Sequence, residues 1–169
     1  KNGLKVKFLL HTHAHLDHFG ATKDVKAACC GAQTALHKDD LFLYDIADQQ
    51  AAMLGLPTVE TSPIDIFLED EQSFKFGHES IRTLVTPGHS PGSSCFSMEA
   101  NDELILFAGD TLFRGSVGRT DLPGGDSHTL QKSIKNRLYT LDGDCRVIPG
   151  HGPETQIAYE KRHNPCVQG

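Results

Sequence analysis

A chain of 169 residues, 38% hydrophobic and 22% charged, can bury a core and is too apolar to stay disordered. Its formal net charge of −6 argues against nucleic acid as a partner, which calls for a strongly basic face. No apolar run approaches the roughly 20 residues of a membrane-crossing helix, so no membrane role is expected. The five cysteines are odd in number and show no CxxC spacing, which points to reduced thiols in a cytoplasmic protein.

In chain order, Val6 to Leu10 reads as a short buried strand that stops in a histidine run. A helix is expected from about Gly20 to Cys30, with Gly31 as its stop and Cys29 and Cys30 as buried thiols. Gln33 to Leu36 suits a strand, and Lys38 to Leu54 has helical periodicity ending at Gly55 and Pro57. Short strands follow at Phe74–Phe76, Ser80–Val85, Ser94–Met98 and Glu103–Phe107, separated by Gly and Asn-Asp turns. Asp126 or Ser127 can cap a helix through Leu138. Cys145–Ile148 is a last strand, and Thr155 to His163 a closing helical turn. With no repeat and no linker, the whole of 1–169 reads as one α/β domain.

The chemistry gathers just past the strand ends. His13, His15, Asp17 and His18 place four potential ligands in six residues. Nitrogen and carboxylate donors without Cys suit zinc, iron or manganese in a reactive site more than a structural zinc. On an extended segment His13 and His15 point the same way and can share one ion, while Asp17 and His18 reach toward a second. His89 sits in a tight Gly/Pro loop, Asp110 follows an apolar strand, and His151 occupies the turn Pro149-Gly150-His151-Gly152-Pro153. Glycine beside a ligand lets backbone approach closely and adopt positive φ.

The series HxHxDH, TPGHSPGS, GD and PGHG resembles the metallo-β-lactamase superfamily. Gly109–Phe113, Gly118–Asp126, Pro149–Thr155 and Glu160–Pro165 resemble its hydroxyacylglutathione-hydrolase-like (glyoxalase II-like) group. The resemblance implies an αββα sandwich. It also implies strands before Val6–Leu10, so a domain lacking part of its N-terminal β segment is expected. An open strand edge there would invite pairing with another chain, compatible with a homodimer. The family pattern assigns His13, His15 and His89 to a first metal and Asp17, His18 and His151 to a second. Asp110 bridges both, and the cofactor is two divalent ions: zinc first, iron or manganese as alternatives.

That resemblance implies hydrolysis of a thioester such as an S-(hydroxyacyl)glutathione by a hydroxide bridging the metals, with Asp17 also orienting the hydroxide. Arg119 either binds a substrate carboxylate or pairs with Asp121 or Asp126. The rival reading is an oxidoreductase, a persulfide dioxygenase with one iron on His13, His89 and Asp110. A β-lactamase and a non-catalytic module are weaker rivals. His11 reads as packing or surface, and His37, His78, His128 and His163 as surface.

Overall fold

A computed structural model describes residues 3–169. Among the described residues, eleven strands and six α-helices fall into layers. β1 (Phe8–Leu10), β2 (Gln33–Leu36) and β3 (Ile66–Phe67) form a parallel sheet in the order β1-β2-β3. The larger sheet runs β11-β10-β7-β6-β5-β4, from β4 (Ser73–Phe76), β5 (Glu79–Val85), β6 (Ser94–Ala100), β7 (Glu103–Gly109), β10 (Arg146–Pro149) and β11 (Thr155–Gln156). A small hairpin, β8 (Leu112–Phe113) with β9 (Ser116–Val117), projects after β7.

Strand alternation assigns the side chains to layers. Ala35, Phe74, Ile81 and Phe96, with Phe8, Leu10, Met98 and Phe107, fill the space between the two sheets. Cys95, Leu106 and Ala108 point the other way and pack under Leu130, Ile134, Leu138 and Ile157. Those four come from α5 (Ser127–Ser133), the π-helical turn Ile134–Leu138 that continues it, and α6 (Ile157–His163). On the outer face of the small sheet, Leu36 meets Leu16 and Phe19 of α1 (Leu16–Phe19), Leu43 and Tyr44 of α3 (Leu41–Asp45), and Ala47 and Ala51 of α4 (Ala47–Met53). Helices thus cover both outer faces of two packed sheets, the αββα order expected of the resemblance. Among the described residues no helix is long and apolar enough to cross a membrane.

Several elements depart from the sequence reading. The first strand is Phe8–Leu10 rather than Val6–Leu10, since the parallel ladder with β2 begins at Phe8 opposite Gln33. The helix expected over Gly20 to Cys30 divides into α1 and α2 (Thr22–Ala28), and Lys38–Leu54 divides into a 3-10 turn (Lys38–Asp40), α3 and α4. The second break lies at Ile46, with φ −99° and ψ 26°. There Gln50 Nε2 donates to the Leu43 carbonyl at 2.8 Å, beside the longer main-chain bond from Ile46 N at 3.3 Å. Thr155 and Gln156 form an edge strand before α6 because Val147 and Arg146 pair with them. Cys29 is half-buried and Cys30 exposed, not buried, since α2 presents its last turn to solvent. Asp126 is the cap of α5, accepting from Thr129 N at 2.6 Å.

Candidate metal centre

The C-terminal ends of β1, β5, β7 and β10 share one edge of the sandwich. β7 and β10 are parallel neighbours, so the residues following them emerge side by side, and Gly150 N donates to Gly109 O at 2.8 Å. Ser94 N donates to Thr12 O at 2.8 Å and ties the β1 end to the larger sheet. Four loops bearing His13–His18, His89, Asp110 and His151 therefore converge.

Three overlapping ligand groups result: His13, His15 and His89; His13, His18 and Asp110; Asp17, His18 and His151. His15 Nδ1 faces His89 Nε2 at 2.9 Å, and His18 Nε2 faces His151 Nε2 at 3.2 Å. Asp110 Oδ1 lies 3.4 Å from His18 Nε2. Its Oδ2 lies 3.7 Å from both His89 Nε2 and His151 Nε2. Asp17 Oδ2 lies 3.0 Å from His151 Nε2 and 3.4 Å from His18 Nε2. In the first group His13 and His89 are buried and His15 is half-buried, whereas the Asp17 and His151 side chains are 52% and 57% exposed.

These atoms fit divalent cations. His13 Nε2 and Asp110 Oδ1 are buried with no hydrogen-bond partner, an arrangement costly unless something else fills the coordination. His89 Nδ1 donates to the Arg119 carbonyl at 2.7 Å, leaving Nε2 as a lone pair facing the cluster. Burial and neighbouring rings favour the neutral form of His13, His15 and His18, the form that ligates. His15 is pushed down to about 4 by burial and then by His89, and His13 and His18 are lowered chiefly by burial. Imidazole nitrogens with one shared carboxylate suit zinc, iron or manganese alike.

The metallo-β-lactamase superfamily profile matches residues 1–151. The chain belongs to that superfamily. Among curated relatives, the hydroxyacylglutathione hydrolase GloC of Haemophilus influenzae is 38% identical over 97% of this chain and 77% of its own length. Among solved structures, TTHA1623 in a di-iron-bound form has a TM-score of 0.84 at 42% identity, covering 98% of this chain and 79% of that one. The BLEG-1 B3 metallo-β-lactamase has a TM-score of 0.85 at 38% identity with the same coverage. Members of the metallo-β-lactamase superfamily bind divalent metals in this fold.

Two supporting residues had no motif to announce them. Gln50 sits beneath the ligand run, its Nε2 donating to Ala14 O at 3.0 Å and its Oε1 accepting from Leu16 N at 3.0 Å. Asp40 is completely buried and accepts from Ala14 N, Ser90 Oγ and Gly92 N. Both lie in stretches that read simply as helix. Arg119 forks onto Asp121, with Nε and Nη2 each 2.7 Å from a carboxylate oxygen, so of its two expected acidic partners it takes Asp121. His11 is buried, its Nδ1 donating to Ala35 O at 3.0 Å and its Nε2 accepting from Thr22 Oγ1 at 2.7 Å. His37 is half-buried and caps the 3-10 turn by accepting from Asp39 N, while His78, His128 and His163 are exposed.

Proposed function

We propose that this chain is a two-metal thioester hydrolase of the S-(hydroxyacyl)glutathione class. The observation that carries the reading is Asp110, whose two oxygens face ligands of both ends of the cluster. A carboxylate so disposed suits a shared ligand between two cations about 3.5–4 Å apart. His13, His15 and His89 would hold one ion, and Asp17, His18 and His151 the other. When bound, the pair supplies an acidified water and a Lewis acid for the carbonyl.

The chain's own residues do the rest. Asp17, beside His151 and half-exposed, is the acceptor that orients a water at the open end. Arg119 stands at the rim and in this reading exchanges Asp121 for a substrate carboxylate, a bidentate contact. A thiol is acidic beside an alcohol or amine, so the leaving group requires no separate proton donor. The 38% identity to GloC supports a glutathione thioester as substrate. Five free cysteines accord with a reducing, cytoplasmic setting.

The test is metal analysis of the purified full chain, followed by panels of thioesters and β-lactams and oxygen uptake with glutathione persulfide. Two ions per chain with thioester cleavage and no oxygen uptake is the expected result. A single iron with rapid oxygen consumption would replace the hydrolase by the dioxygenase reading. Faster turnover of β-lactams than of any thioester would move the activity toward that of BLEG-1.

A further inference from the structure

Three donors converge on the buried carboxylate of Asp40. Oδ2 accepts from Ala14 N at 3.0 Å and from Ser90 Oγ at 2.8 Å, and Oδ1 accepts from Gly92 N at 2.6 Å. Ala14 stands between His13 and His15, and Ser90 directly follows His89. One side chain thus grips two loops, 26 residues before and about 50 residues after it in the chain, and those loops carry all three nitrogens of the buried ligand group. The grip is tight: a Cβ added at Gly92 would come within 2.8 Å of the carboxylate. Ser93 extends it, since Ser93 Oγ lies 2.7 Å from Ser90 Oγ and accepts from Ser90 N at 3.0 Å. The more exposed group of Asp17, His18 and His151 makes no hydrogen bond or ion pair with Asp40 among the described residues. Its helix α1 is anchored separately, through Gln50 and Leu16 N.

We infer that Asp40 is a positioning residue that sets the spacing of His13, His15 and His89, and so governs affinity at the first metal position and not at the second. This rests on the two-metal reading above. An outer carboxylate that fixes ligand-bearing backbone acts as the partners of metal-bound histidines do, whose loss typically costs 10–100-fold in affinity. Asp40→Asn keeps the shape but replaces one acceptor oxygen with an NH₂ donor. If the amide oxygen stays on Gly92 N, the Ser90 hydroxyl can reverse its role, whereas Ala14 N–H then faces another donor.

The experiment uses the full chain, stripped by chelation and titrated with zinc in two backgrounds. His151→Ala leaves the buried trio whole, and His89→Ala leaves the exposed one whole. Asp40→Asn is expected to weaken zinc about 10–100-fold in the first background and less than about threefold in the second. A purely structural role would lower the melting temperature without separating the two. Equal weakening in both, or none in either, overturns the inference. Ser90→Ala removes one of the three donors and is expected to weaken zinc about three- to tenfold in the first background alone, so an unfolded Asp40 variant does not end the test. No effect of Ser90→Ala there overturns the inference as well. If neither background binds zinc with Asp40 intact, the two-metal reading itself fails.

Discussion

His89 donates its Nδ1–H to the carbonyl oxygen of Arg119 across 2.7 Å, so the rim loop holds a metal-facing ring through its main chain. The Arg119 guanidinium is left to Asp121, on the exposed rim. Arg119→Ala is therefore expected to keep the metal content and to shift the melting temperature by no more than about 2 °C, as exposed ion pairs contribute little. In the proposed role it raises KM about tenfold with kcat unchanged. Steady-state kinetics with metal analysis check both parts, and loss of metal would show that the side chain supports His89 after all.

Asp110→Asn keeps the volume of the side chain and removes the charge and one acceptor. In the proposed two-metal reading the cations then lose their common ligand. Fewer than two ions per chain and a fall in kcat/KM of at least about a thousandfold, near 4 kcal/mol of transition-state stabilisation, are expected. Normal turnover with both ions retained would contradict the shared-ligand arrangement.

Gly150 is a sharper probe of geometry. A Cβ there would lie 2.2 Å from Asp110 Oδ1 and 2.8 Å from His18 Cε1. Its backbone φ is not in the left-handed region, so alanine is conformationally acceptable and the conflict falls on the ligands. Gly150→Ala should lose metal and activity together, while the metal-free protein melts within a few degrees of the parent. Calorimetry on chelated samples separates this from general unfolding. Unchanged metal affinity would mean that the centre tolerates a displacement of Asp110.

Asp65 offers a pH test away from the centre. Its carboxylate accepts from Lys26 Nζ, Thr34 N and Thr34 Oγ1 at 2.5–2.9 Å. The Lys26 contact, then Thr34, holds it at about 2, below its ordinary value near 4. A carboxylate depressed in the folded state adds stability above its unfolded pKa, and that contribution fades as pH falls through the folded value. Asp65→Asn should thus melt below the parent at pH 7, and the gap should close between about pH 4 and pH 2. Thermal melts across that range are the measurement. A gap that persists at pH 2 would trace the effect to shape and not to charge.

Much of this was legible in the residues. The strands ending at Leu10, Val85 and near Phe107 and Ile148 were visible as apolar runs stopped by Gly, Pro or polar turns, and their ends carry the ligands. The histidine run declared itself by density. The break at Ile46 was not visible, because apolar periodicity passes through it and the Gln50 side chain that adds a bond to the Leu43 carbonyl is placed by tertiary packing. Asp40 was hidden for a related reason. In Lys38-Asp39-Asp40 it looks like an ordinary acid in the first turn of a helix, and its partners are two backbone N–H groups and a hydroxyl far away in the chain. No spacing rule in one sequence reports such a contact.

The ligands also differ in when the ribosome delivers them. His13, His15 and His89 are all made before His151, which follows His18 by 133 residues. β7 needs β10 beside it before Asp110 and His151 can face one another. A nascent chain can therefore offer stray imidazoles early and the complete centre only once β10 and the turn after it have been made. In the two-metal reading, correct metallation then waits for β10 to join β7, and an ion captured before that would be held by the wrong set of side chains.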